Sequence, residues 1–295
     1  MKILPIFVLL AFSSVVFAQG CPDHPKIVEP VLSENARRIY ETKLAEAKAD
    51  YEKNRTADAI IWFGRRVAYL GDYKGAINIF TEGIAKFPKD ARFYRHRGHR
   101  FITIRCFDEA IKDFETAAKL IKGKPDEIEP DGLPNARNIP TSTLQSNIFY
   151  HLGLAYYLKG NFKKALKAYQ QCLKVSKNND MAVATIHWLY MTLRRLGKVK
   201  EAEKTVAQVE DNLDLIENDD YYKLIKLYQG KLKPEDLLTN DVNSLGNASV
   251  GYGAGNWFLY NGKRDEATKI FRQITSGNQW ASFGFIAAER ELKMN

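Results

Sequence analysis

Cysteine is nearly missing: Cys21, Cys106 and Cys172 are the only three in 295 residues. They form an odd set with no CxxC pair and no Cys/His zinc spacing, so neither a disulfide framework nor a structural metal is expected, and Cys106 and Cys172 should be unpaired. Proline is scarce at 10 residues, and with 45% hydrophobic and 12% aromatic side chains the chain can bury a core, which excludes disorder throughout. Beyond residue 18 no apolar run approaches the roughly 20 residues needed to cross a hydrocarbon layer of about 30 Å.

Catalytic signatures are also lacking, because no HExxH, GxSxG, GxxxxGK or paired-carboxylate motif accompanies His24, His96, His99, His151 and His187. No enzyme and no cofactor are expected. His96 and His99 share a helical face, yet Arg95, Arg97 and Arg100 would repel a metal dication there. Gly251, Gly253 and Gly255 imitate a dinucleotide loop with no strand before them, and are expected to serve helix packing. What is present is positive charge: 44 Lys and Arg against 35 Asp and Glu give +9, which favours anionic partners without naming them.

The chain opens with Lys2, an apolar run from Ile3 to Val16 and the small-residue segment Val16-Phe17-Ala18. This pattern predicts an export signal over residues 1–18, cleaved after Ala18, and hence a periplasmic or secreted protein. Ala18-Gln19-Gly20-Cys21 leaves open a membrane-anchored lipoprotein held through Cys21, although Ala18 and Gln19 fit a lipidation motif poorly. Residues 19–56 then form a Pro-containing leader (Pro22, Pro25, Pro30) and a helix from the N-cap Ser33 to about Lys53, with Ile39, Leu44, Ala47 and Tyr51 on its apolar spacing.

From there the chain repeats itself. Gly64 and Gly98, Ala76 and Ala110, and Phe80 and Phe114 are each 34 residues apart, the period of a helix-turn-helix solenoid unit. Turn residues Gly71, Arg105, Gly160, Gly197 and Gly262 are followed five places later by Ala76, Ala110, Ala165, Ala202 and Ala267. Four residues further on stand Phe80, Phe114, Tyr169, Val206 and Phe271. Glycine ends one helix, alanine lets two helices approach, and the large side chain fills the groove between neighbours. Ile60, Phe63-Gly64, Ala76, Phe80, Gly83 and Pro88 resemble the tetratricopeptide repeat family, with departures at Tyr190 and Val209.

The resemblance implies an all-α, right-handed superhelical solenoid that binds protein or peptide partners on its concave face. It divides the chain into two units over 57–120, a Pro-rich insertion over 121–144, two units over 145–212, a degenerate helical pair over 213–247, and a last unit with a capping helix over 248–295. The insertion carries Pro125, Pro130, Pro134 and Pro140 with Asp126, Glu127, Glu129 and Asp131, and reads as a linker or as a partner-contacting lid. Trp62, Tyr156, Trp188, Trp257 and Trp280 are expected in the core.

Positions that face the groove in this family select Arg65 and Tyr69, Arg92, Arg95 and His99, Asn147 and Tyr150, His187, Arg194 and Arg195, and Tyr252 and Asn256. Arg and Asn can hold a carboxylate through charge-assisted hydrogen bonds, and Tyr adds apolar area with a polar tip. The expected role is a non-catalytic scaffold of the bacterial cell envelope, binding an acidic peptide segment at Arg65, Tyr69, Arg92, Arg95, His99, Asn147, Tyr150, His187 and Arg194. The alternative is an accessory subunit for a glycan or small molecule under the insertion. Nucleic acid is not an expected partner, and a membrane is one only if Cys21 is lipidated.

Overall fold

A computed structural model describes Cys21, residues 27–132, 134–238, Asp241, Asn243 and residues 245–294. The expected signal segment and its cleavage site, and half of the proline leader with Pro22 and Pro25, lie outside the described residues. Thirteen α-helices and one 3-10 turn make up the described chain. Helix α1 (Glu34–Asn54) starts where Ser33 accepts a hydrogen bond from the Ala36 amide, as its sequence dictates.

Four antiparallel pairs follow: α2 (Ala57–Tyr69) with α3 (Tyr73–Lys86), α4 (Ala91–Thr103) with α5 (Phe107–Ile121), α6 (Leu144–Leu158) with α7 (Phe162–Val175), and α8 (Asn179–Arg195) with α9 (Val199–Ala207). They stack into the expected right-handed superhelix. Residues 213–247 hold one helix, α10 (Asp219–Tyr228), and a 3-10 turn at Pro234–Asp236 before α11 (Leu245–Tyr260), so the expected pair is a single helix and a turn. The last unit is α11 with α12 (Arg264–Ser276), and α13 (Phe283–Met294) follows.

The repeat register is the packing register. Ala76, Ala110, Ala165, Ala202 and Ala267 are all fully buried. A Cβ added at Gly64, Gly153 or Gly255 would lie 2.5–2.6 Å from a ring carbon of Phe80, Tyr169 or Phe271, sixteen residues on. The fourth unit exchanges the volumes, with Tyr190 at the glycine position and Val206 at the aromatic one, both 2% exposed. Gly253 meets Leu224 in the same close manner, so two glycines of the imitated loop serve packing. The turn residues Gly71, Gly160, Gly197 and Gly262 all take positive φ, and so does Arg105 at 66°.

The superhelix closes on itself. Helix α13 packs on α11 and α12 and also reaches α6. Phe283 lies against His99 and His151, the Arg290 guanidinium donates to the Leu158 carbonyl at 3.2 Å, and Trp280 stacks on Tyr73. Arg105 ties this end to the second unit: it donates to the Trp280 carbonyl at 2.9 Å, pairs with Glu289 at 2.9 Å, and lies 3.7 Å above the Trp280 ring. Next to it, Cys106 is joined to Cys21 in a disulfide, with Cα atoms 5.1 Å apart across 85 residues of sequence. The expectation of an unpaired thiol is thereby corrected for Cys106. Leader residues Glu29 and Pro30 lie against Gly71, carrying the chain back over the turns, a proximity that motif spacing cannot reveal. Cys172 remains a free, buried thiol.

Candidate functional site

Helix α4 carries the densest basic sequence in the chain, RFYRHRGHR, and a helix sends residues so spaced to different faces. Arg92 turns outward to Asp58 and Asp90, each at 2.6 Å. Arg97 turns back to α5, where it forks onto the Asp113 carboxylate at 2.7 and 2.8 Å; burial nonetheless raises the Asp113 pKa. Arg95 turns into the concave side and meets Glu129 of the insertion at 2.9 Å, with both side chains about nine-tenths buried. Arg100 also faces inward, and its side chain makes no hydrogen bond or ion pair with a described residue; the Tyr73 ring lies 5.9 Å away and Tyr69 shares its cavity.

The insertion is therefore neither an inert linker nor a free loop. Arg65 donates to the Pro130 carbonyl at 2.9 Å and Arg66 to the Gly132 carbonyl at 2.7 Å. The strap is braced by its own return, where the Glu129 amide donates to the Ser142 carbonyl and the Leu144 amide to the Glu127 carbonyl. Its far end reaches the segment that follows the fourth unit, through Arg137 to Asp214 at 2.7 Å and Thr141 to Glu217 at 2.9 Å. A crevice of about 220 Å³ remains between strap and helices, lined by Trp62, Arg65, Arg92, His96 and the strap residues Glu127–Pro130 among others.

The nine expected site residues do not form one open groove. Arg65, Tyr69, Arg95 and His99 come together around a small cavity, with His96 and Arg100 completing its wall. Arg92 stands apart on the outer crevice and is neutralised by its two aspartates. Asn147 and Tyr150 are buried on α6, where the Asn147 amide donates to Ser142 Oγ at 2.8 Å. His187 is a correction, for it has no exposed surface: it stacks on Tyr221 and Tyr228 and hydrogen-bonds the Tyr228 hydroxyl at 3.1 Å. Arg194 lies over Tyr260 and donates to the Tyr190 hydroxyl at 2.7 Å.

The other inward positions are covered for the same reason. Tyr252 and Asn256 are buried, and Arg195 pairs at 3.0 Å with Glu291 of α13, whose carboxylate also accepts from the Tyr252 hydroxyl at 3.2 Å. Family positions assume an open concave face, whereas here α10, α13 and the strap fill it. Burial also sets the protonation states: desolvation, reinforced by Arg95 and Arg65, pushes His96 well below its ordinary value, and desolvation alone takes His187 down to about 3. Sequence reasoning did not place Glu129 or Arg100 at the site, nor the expected capping helix, α13, over the concave face. The acidic run Asp126–Asp131 was a legible signal for the first, being the one concentrated negative segment near the basic helix.

Residues 146–179 match the family model of the tetratricopeptide repeat. The α6–α7 unit is a tetratricopeptide repeat. The matched stretch covers most of α6 and all of α7, the unit in which Gly153 packs on Tyr169. Curated relatives include the small glutamine-rich tetratricopeptide repeat-containing protein 2 of Saccharomyces cerevisiae, 26% identical over 56% of this chain and 42% of that protein. Serine/threonine-protein phosphatase 5 of Rattus norvegicus is 24% identical over 55% of this chain and 29% of its own length. The chain thus spans less than half of the curated relatives it matches. Among solved structures, YrrB, described as a repeat protein with an unusual peptide-binding site, is 16% identical, with a TM-score of 0.45 over 84% of this chain and 97% of that one. MamA from Desulfovibrio magneticus is 18% identical, with a TM-score of 0.44 over 58% of this chain and 84% of its own.

Proposed function

We propose that this repeat protein is a non-catalytic interaction scaffold of the bacterial cell envelope that receives an acidic, carboxylate-bearing peptide segment on its concave side. The observation that carries the proposal is the seating of the chain's own acidic strap there: the Glu129 carboxylate takes the Arg95 guanidinium, and the Pro130 carbonyl takes Arg65. Two of the residues selected for carboxylate binding, Arg65 and Arg92, line the crevice beside this strap, and a third, Arg95, pairs with the strap's Glu129. The strap is thus an internal ligand, and a partner of like chemistry would bind by taking its place. Export is supported by the apolar run after Lys2 and by the Cys21–Cys106 disulfide, since such bonds persist in oxidising compartments. A lipid on Cys21 would need the sulfur that this disulfide uses, so the soluble exported form is the one proposed.

The test supplies the hexapeptide Asp-Glu-Ile-Glu-Pro-Asp, the sequence of residues 126–131, in trans. Fluorescence anisotropy is expected to show weak binding to the native chain and binding at least tenfold tighter to Glu129→Gln, weakening as salt rises. Arg95→Gln in the Glu129→Gln background should remove that gain. Equal, negligible binding to the native chain and to Glu129→Gln would refute the proposal.

A further inference from the structure

Beneath the strap, between α2 and α4, lies a cavity of about 100 Å³ walled by Arg65, Tyr69, Arg95, His96, His99 and Arg100. A single water needs about 10–15 Å³ of such space, so there is room for a compact polyatomic ion but not for a peptide backbone. We propose that this cavity is a binding site for a small free oxyanion, of the phosphate or simple carboxylate class, distinct from the peptide crevice above it.

Charge is the first ground. Three guanidinium groups border the space, and Glu129 on the strap supplies one carboxylate against them. Both nearby histidines are neutral: burial is the largest cause for each, with Arg95 and Arg65 acting next on His96 and Arg100 and His151 on His99. The enclosure therefore holds an uncompensated excess of positive charge in surroundings that screen it poorly.

Unused donors are the second ground. Arg95 is 8% exposed, spends its terminal nitrogens on Glu129 and His96, and leaves its buried Nε without a partner. Arg100 leaves all five of its N–H groups unbonded to the described residues. Burial pulls its pKa down to about 10, and Arg95 and Arg65 add to the shift, so the group is still charged at neutral pH. Tyr69 accepts from Arg65 Nε at 3.3 Å, which leaves its own hydroxyl proton to donate. A buried donor without an acceptor, as Arg95 Nε is, is rare in folded proteins, and a delocalised anion would serve it together with the partly buried Arg100 and Tyr69 donors. The third ground is the contrast along one helix: Arg92 and Arg97 of α4 each have carboxylate partners in the chain, whereas Arg100, the inward one behind Arg95, has none.

The site shares Arg65 and Arg95 with the peptide reading but does not depend on it, and the two tests use different ligands. Inorganic phosphate, with acetate as the carboxylate probe, is titrated calorimetrically into the full chain in a buffer free of sulfate and phosphate, with ionic strength held by chloride. The native chain should bind phosphate with a raised unfolding temperature, and Arg100→Gln should weaken binding at least tenfold with unchanged circular dichroism. Lys163→Gln, an exposed change on α7 away from both cavities, should bind as the native chain does. If Arg100→Gln loses helical content, Tyr69→Phe is the substitute, with a severalfold loss expected. Absence of phosphate and acetate binding to the native chain, or undiminished binding by the cavity variants, would overturn the proposal while leaving the hexapeptide result to be judged alone.

Discussion

At Gly64 a missing side chain is the structural content of the residue. A Cβ there would lie 2.5 Å from the Phe80 ring, which is 1% exposed and has no space to yield. Gly64→Ala gains about 1 kcal/mol of helix propensity but overpacks the site by a typical 1–3 kcal/mol, so net destabilisation of about 1 kcal/mol is expected in urea unfolding. Phe80→Leu in the same chain should recover part of that loss, because the pair shares one volume. Tyr190 and Val206 are the natural version of this exchange. Tyr190 looked like a departure from the family pattern in the sequence, which records single positions, while the structure conserves the sum of the pair. The repeat spacing, the N-cap at Ser33 and the alanine contacts were all legible because they depend on neighbours within about 20 residues.

The element scale is where legibility fell. The ends of the insertion were clear from its prolines, since α5 stops at Ile121 and α6 begins at Leu144. Its destination was not, because the pairing of Glu129 with Arg95 spans 34 residues and depends on where the strap bends back, a tertiary fact. The inward-facing helices α4, α6 and α8 carry a further consequence of being covered. His96, His151 and His187 are each at most 5% exposed, and desolvation lowers the pKa of all three. In the unfolded chain these imidazoles take up protons near pH 6.5, whereas the folded chain resists doing so. The stabilising contribution is therefore complete above about pH 7 and declines as pH falls, by at most about 1.4 kcal/mol per pH unit for each histidine. Asp113, whose pKa burial raises, works in the opposite sense at lower pH. Urea midpoints measured at pH 7.5, 6.5 and 5.5 should fall in that order, and a flat profile would mean that these histidines are charged in the native protein.

On the scale of the whole molecule, two adjacent residues hold the chain together at long range. Cys106 binds the leader through the disulfide, and Arg105 binds the C-terminal helix through Glu289 and Trp280. Closing a loop of this size removes up to about 4–5 kcal/mol of unfolded-state entropy, so reduction should lower the thermal midpoint by several degrees. Cys21→Ser should reproduce the drop and be insensitive to reductant. Arg105 occupies a left-handed turn where four other units use glycine, yet Arg105→Gly should destabilise the protein. The relief of backbone strain is about 1 kcal/mol, and breaking a mostly buried ion pair costs about 3–5 kcal/mol. Hydrogen exchange should then quicken in α13 as well as at the turn, 175 or more residues away in sequence.

An open superhelix behaves as a spring, whose coils can widen or twist a little at each interface to fit what it grips. With the C-terminal helix latched onto the second unit at Arg105, the coils of this protein cannot change pitch independently, and the spring is locked at one length. Compliance is left to the strap, whose Ile128 is 69% exposed while the helices beneath it are fixed. Adaptation to a guest would then proceed by exchange of one short segment, and the dimensions of the frame would be the same before and after.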